Sequence, residues 1–354
     1  VFRPVSAFLF SLCISSAFLP FVQVEARGLV LDPQQLEHPS PLRPSQATQY
    51  GLTRHRLVME DGVSLPLRRW GPAPEHGEQP SGVVLGVHGF NDHSGAFIAT
   101  AAALNPLGIA VYAWDQRGFG GSDSRAEWPG TVVLVDDLIF AVAALRERYP
   151  EAPLFIMGLS MGGALSALML EAAPDIAVDG VIMVGPAVWA RSKMPWYQQG
   201  ALWVGERATP NLKLAGRGFG IDPTDDPVVL EQITKDPLWI SETRVDAIAG
   251  ISNLMDKALV ALGHLPEVNT LVLYGGEDEV IPHEAACEMF KALPADSKRW
   301  RAAYYPDGYH MLTRYTGGAA VLADVAAFID AADAVLPSGN AITRDAAIEA
   351  LCDD

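Results

Sequence analysis

The sequence predicts an α/β fold, a doubly wound, mostly parallel sheet with a helical cap inserted between two late strands. Short, near-continuous apolar runs recur at residues 83–87, 109–114, 154–157, 181–184 and 270–274, the pattern of strands buried on both faces. Helical stretches at 97–107 and 132–149 lie between them. Such alternation implies βαβ units, whose ligands bind at the carboxyl ends of the strands. From about residue 188 to 262 the alternation lapses, and a stretch that long between two sheet strands reads as an insertion over those ends.

Composition bounds the possibilities. The 354 residues, 49% of them hydrophobic, suffice for one large core, and an α/β domain with one insertion fits better than two independent domains. A net charge of −17 disfavours nucleic acid and anionic membrane faces as partners, since both are repelled at long range. An apolar substrate must then be held by apolar contact. Cys13, Cys287 and Cys352 lack metal-type or redox spacing, and a Cys287–Cys352 disulfide stays open.

Taken in order, residues 1–26 read as a secretory signal: Arg3, an apolar core over 7–21, and a small-residue cleavage site after Ala26. The expected location is extracytoplasmic, periplasmic or secreted, with an uncleaved N-terminal anchor as the alternative. Residues 27–50 are Pro- and Gln-rich without apolar period, a linker. The core is then expected over 51–187 and 263–335, with the cap at 188–262 and a C-terminal tail at 336–354. Residues 52–59 and 63–70 flank Glu60-Asp61-Gly62 as an antiparallel hairpin at the sheet edge.

The strand ending at Val87 runs into His88-Gly89-Phe90-Asn91-Asp92-His93-Ser94-Gly95, a tight loop able to aim the Phe90 N–H at a developing oxyanion. His88 could be imagined as a general base, but directly after a strand it reads better as a brace for the turn. The glycine-rich loop after Asp115, with Arg117, reads as loop bracing; without strand–GxGxxG spacing it marks no nucleotide site.

The organising stretch is 154–170, in which a buried strand stops on Gly158-Leu159-Ser160-Met161-Gly162 and continues as a helix. Strand, sharp turn and helix form a nucleophile elbow: glycines two before and two after the serine let backbone pass without a Cβ clash, and the turn points the hydroxyl out of the sheet. Ser160 is therefore the candidate nucleophile. The Met161 N–H, at the positive end of the following helix, is the second candidate oxyanion donor.

The cap region carries Trp189, Met194, Trp196, Tyr197, Trp203, Phe219 and Trp239. So many large apolar groups in a piece with little core of its own favour an apolar substrate tunnel, with Trp196 and Trp203 as candidate wall residues. Beyond it, Asp278 lies just past one strand end and His310 past the next. Glu277, Glu279 and Asp307 are rival acids; Asp278 is preferred because an orienting carboxylate must reach Nδ1 from a neighbouring strand end.

These residues together resemble the monoacylglycerol lipase and lysophospholipase branch of the α/β-hydrolases (serine aminopeptidase S33-like), over about residues 52–333. The motifs are His88-Gly89-Phe90 with Asp92-His93-Ser94-Gly95, Asp115 with Arg117-Gly118-Phe119-Gly120, Gly158-Leu159-Ser160-Met161-Gly162-Gly163, Asp278 with Pro282, and His310. The resemblance implies the α/β-hydrolase fold, Ser160 as nucleophile with Asp278 and His310 as its partners, and the Phe90 and Met161 amides as oxyanion hole. It implies a serine ester hydrolase acting on monoacylglycerol- or lysophospholipid-like esters through an acyl-enzyme, with no metal or organic cofactor. Its cap would bring it into transient contact with lipid surfaces. A serine aminopeptidase or acyltransferase would share the triad, and a catalytically dead binding module the fold. The chain departs from the family in the bulky Phe90, where a small residue is frequent, and in its export signal. The sequence leaves the oligomeric state open.

Overall fold

The computed structural model describes residues 51–53, 55–73, 77–189, 196–215, 221–295 and 298–352. The expected signal at 1–26 and linker at 27–50 lie outside them, as do Cys13, Met194 and Phe219.

The sheet opens on β1 (Gly51–Leu52), β2 (Arg56–Val58) and β3 (Ser64–Trp70), paired antiparallel in sequence, with β3 antiparallel to β5. β4 (Gly82–Val87) leads through a 3-10 turn to α1 (Ile98–Leu104), which a second turn at Asn105–Leu107 ends. β5 (Ile109–Trp114), α2 (Thr131–Arg148), β6 (Leu154–Leu159), α3 (Met161–Ala172) and β7 (Gly180–Val184) follow. Every residue of β4, β5, β6 and β7 is buried, which the unbroken apolar runs require.

The insertion holds α4 (Trp196–Ala208), β8 (Lys213–Ala215), α5 (Pro227–Lys235) and β9 (Glu242–Arg244), with β8 and β9 paired as an antiparallel ribbon. The chain then returns through α6 (Val245–Leu262), β10 (Thr270–Gly275), α7 (His283–Ala292), β11 (Trp300–Tyr305), α8 (Gly318–Asp330), β12 (Ala341–Ile342) and α9 (Arg344–Cys352). Sheet order is β1-β2-β3-β5-β4-β6-β7-β10-β11-β12, and the strands from β5 to β11 in that order run parallel. One face is covered by α2, α3, α6, α7 and α9, the other by α1 and α8.

Two boundaries differ from the sequence expectation. α6 was expected within the cap, yet it buries Ala249, Leu254, Ala258 and Leu262 and packs on α3. A parallel connection from β7 to β10 needs a helix over the sheet face, and α6 fills that role. Residues 336–354 were expected as a tail, but β12 pairs antiparallel with β11, and α9 packs on α7. Cys287 and Cys352 are disulfide-bonded across this contact. The cap itself is mixed rather than purely helical, since β8 and β9 belong to it. Among the described residues no helix is long and apolar enough to cross a membrane.

Candidate active site

β4 sends its chain to β5 on one side while β6 lies on the other, so the strand order reverses between β4 and β6, and the crevice opens at their carboxyl ends. Ser160 stands there with φ 52 and ψ −113, a conformation costly for any L residue and held by its surroundings. Its N–H donates to the Val184 carbonyl at 2.9 Å, and its carbonyl accepts from Gly163 and Ala164 N–H. The glycines make the packing feasible: a Cβ at Gly162 would lie 1.9 Å from the Val87 oxygen, and one at Gly158 would lie 2.3 Å from the Gly162 oxygen.

Asp278 is buried past the end of β10, where its Oδ1 accepts from the Val280 and Ile281 N–H groups at 2.9 and 2.8 Å. Its Oδ2 accepts from His310 Nδ1 at 2.7 Å. The ring is thereby turned so that Nε2 is left as the acceptor, and His310 lines the same cavity as Ser160. Gly185, at φ 51, lies against the pair: a Cβ there would meet both Asp278 Oδ2 and His310 Nδ1 at 3.5 Å. The rival acids Glu277, Glu279 and Asp307 are exposed, and Glu279 lines the cavity, but the carboxylate hydrogen-bonded to His310 is that of Asp278.

The expected oxyanion donors belong to two elements that meet near Ser160. Met161 opens α3, so its N–H is a first-turn donor without an intrahelical acceptor. Phe90 lines the cavity in the turn after β4, and Gly89 approaches so closely that a Cβ would lie 3.3 Å from Ser160 Cβ. The Phe90 ring packs edge-on against Phe119 with centroids 5.7 Å apart, and its bulk is absorbed there and against Trp128.

His88 is fully buried; its Nδ1 donates to the Gly89 carbonyl at 2.8 Å while Nε2 accepts the Gln116 N–H at 3.0 Å. Burial pushes its pKa down, which keeps it a neutral brace. Asp115 likewise braces, accepting from the Ser94 and Gly121 N–H groups, and Arg117 bridges Asp61 and Asp137.

Ser160 and His310 open on a cavity of about 1100 Å³, lined by apolar side chains that include Leu159, Leu212, Leu214, Trp239, Val245 and Ile248. Trp196 lines it as well. Trp203 is not among the lining residues: it is 58% exposed, with the Arg207 guanidinium stacked 4.2 Å over its ring. Helical phase does not separate the two, since residues seven apart on α4 lie on nearly the same face; what distinguishes Trp203 is the Arg207 guanidinium stacked over its ring.

Sequence reasoning passed over a polar girdle around the cavity. Asp92 pairs with Arg314, linking the turn after β4 to the His310 loop. Burial raises the Asp92 carboxyl, but Arg314 and then His93 outweigh it and hold the carboxyl below its ordinary value. His93 Nε2 donates to Asp236 in the cap at 2.8 Å. These pairs join residues 143 and 222 positions apart, a distance at which no sequence pattern signals contact. Among the described residues, no group of His, Cys, Asp and Glu is placed to hold a metal ion.

Comparison with known proteins bears on the family and the fold. The profile of the serine aminopeptidase, S33, family matches residues 78–315. Monoglyceride lipase of Rattus norvegicus is 29% identical over 280 residues, covering 78% of this chain and 89% of that protein. Monoacylglycerol lipase of Mycolicibacterium smegmatis is 24% identical, covering 78% and 96%. Among solved structures, Paleococcus ferrophilus monoacylglycerol lipase superposes with a TM-score of 0.62 at 24% identity, covering 76% of this chain and 99% of that one. A soluble variant of monoglyceride lipase from Saccharomyces cerevisiae gives 0.67 at 17% identity, covering 84% and 100%. At these identities the structural likeness bears on the fold. The match to the family profile over most of the chain carries the assignment: the protein belongs to the serine aminopeptidase, S33, family of α/β-hydrolases.

Proposed function

We propose that the protein is a serine carboxylic-ester hydrolase that cleaves monoacylglycerol- or lysophospholipid-like esters. The observation that carries this reading is the hydrogen bond from His310 Nδ1 to the buried Asp278, beside a strained Ser160, at the floor of a large apolar cavity. In the reaction His310 Nε2 takes the Ser160 proton as Oγ attacks the ester carbonyl, while Asp278 holds the tautomer and stabilises the imidazolium. The Phe90 and Met161 N–H groups receive the oxyanion. Collapse of the tetrahedral intermediate expels the alcohol, which takes the proton from His310, and leaves an acyl group on Ser160. Water, deprotonated by the same imidazole, then releases the fatty acid and restores the serine.

A long acyl chain suits the cavity, which is larger than most pockets for drug-sized ligands and apolar along its walls. The cap meets the lipid surface: Trp196, Trp203 and Leu212 are 83%, 58% and 52% exposed on it. With a net charge of −17, a neutral or zwitterionic surface is favoured over an anionic one. The protein works outside the cytoplasm, a reading supported by the signal-like residues 1–26 and by a disulfide closing a separation of 65 residues.

The test is Ser160→Ala together with a substrate series. The variant folds, loses ester hydrolysis by several orders of magnitude and is no longer labelled by a fluorophosphonate. Persisting label at another serine refutes the nucleophile. Across monoacylglycerols, lysophospholipids, aryl esters and amino-acid anilides, activity rises with acyl length; dominant anilide cleavage would favour an aminopeptidase instead.

A further inference from the structure

The turn that carries Phe90 is hydrogen-bonded to the cap. Asp92 N–H donates to the Gly89 carbonyl at 3.3 Å, closing a turn in which Asn91 takes the third position with φ 64. Positive φ at that place is the signature of a type II turn, where glycine is at ease and asparagine is tolerated. The tolerated residue is here tied down from above. Its side-chain amide donates to Thr243 Oγ1 at 2.7 Å, and its carbonyl accepts the Ile240 N–H at 3.0 Å. Two residues on, His93 donates to Asp236 at 2.8 Å. Asp236, Ile240 and Thr243 all belong to one cap segment, 236–243, which Arg125 grips from the other side through the Pro237 and Trp239 carbonyls at 2.8 and 2.9 Å.

We propose that this cap segment builds the oxyanion hole as well as roofing the cavity. By holding Asn91 in its left-handed conformation it fixes the turn that presents the Phe90 N–H, which makes Asn91 and Thr243 positioning residues for the ester hydrolysis. The inference rests on the reading of Ser160 as nucleophile and Phe90 as oxyanion donor. Its physical basis is preorganisation: an oxyanion donor works only if it is already aimed where charge develops, and a freed turn must be re-ordered at each turnover. It separates this role from a binding wall, because a wall acts on substrates long enough to reach it, whereas the oxyanion hole acts on every ester.

The experiment compares Thr243→Val with the wild type on p-nitrophenyl butyrate, too short to depend on the cap walls, and on a long-chain monoacylglycerol. A trifluoromethyl ketone, whose carbonyl accepts Ser160 Oγ and becomes an oxyanion, reports the hole directly. The expected result is a kcat about tenfold lower on both substrates, a parallel weakening of the ketone, and a KM for the short ester within about twofold. Thr243→Ser, which keeps the acceptor, recovers most of the loss. Should Thr243→Val fail to fold, Asn91→Ala, which removes both the side-chain tether and the tolerance of positive φ, gives the same readings. Unchanged kcat and ketone affinity, or a loss confined to KM for the long chain, overturns the proposal. Fluorophosphonate labelling separates its failure from that of the underlying reading. Absence of label at Ser160 in the wild type removes the nucleophile, while labelling of Thr243→Val at the wild-type rate removes the cap's role alone.

Discussion

Replacing Asp278 by Asn tests the triad with the least disturbance of shape, and the hydrogen bonds around the carboxylate dictate the outcome. Oδ1 accepts two backbone N–H groups, from Val280 and Ile281, and Oδ2 accepts His310 Nδ1. An asparagine has one acceptor oxygen, which the two fixed donors claim; turning the amide the other way would set its NH₂ against both, leaving buried donors unpaired at about 1–3 kcal/mol each. The NH₂ therefore faces Nδ1 and donates, so the imidazole must carry its proton on Nε2, the nitrogen that should receive the Ser160 proton. The base is blocked while the geometry persists. Loss of the correct tautomer at a serine triad costs about 10⁴ in kcat, equivalent to about 5.5 kcal/mol of transition-state stabilisation. The assay is kcat on a short aryl ester with folding monitored by circular dichroism. Asp307→Asn is the control, since Asp307 is exposed and its loss should leave kcat within about twofold. A loss at Asp278→Asn below tenfold, or an equal loss at Asp307→Asn, would refute the reasoning.

Cys352→Ser should lower the free energy of unfolding by up to about 4 kcal/mol, because the bridge to Cys287 closes a loop of 65 residues; urea titration of the variant against oxidised wild type measures it. Arg314→Met should destabilise by about 3–5 kcal/mol, since it leaves the Asp92 carboxylate buried without its partner. The depressed carboxyl of Asp92 contributes stability above the unfolded value of about 4, lost as pH falls through its lower folded value. Arg314→Met removes the depression, so its acid-unfolding midpoint should move to higher pH; an unmoved midpoint contradicts the pairing. Trp196→Ala should reduce kcat/KM for long-chain monoacylglycerols and spare short aryl esters, whereas Trp203→Ala should leave both alike, as Trp196 lines the cavity and Trp203 does not.

Much of this protein is local in origin, and that part was legible in the sequence. Five apolar runs became β4, β5, β6, β7 and β10 because a strand buried on both faces favours apolar side chains at consecutive positions. The elbow is local in part: a Cβ at Gly158 would strike Gly162 four residues on, whereas one at Gly162 would strike Val87 on the neighbouring strand β4. Asp278 and His310 could be named because each follows a strand, and parallel strands deliver their carboxyl ends to one edge. The tertiary structure alone decided which helix covers which face. α6 reads as cap by its place in the chain and as core by its packing on α3, and residues 341–352 read as tail until β11 and Cys287 supply their partners. It also decided which of two tryptophans faces the cavity and how the cap grips the turn at Asn91, joined to Thr243 across 152 positions. Local patterns arise from steric and hydrophobic limits on neighbouring residues. Contacts between residues far apart in the chain depend on how whole elements stack, and no single segment carries that information.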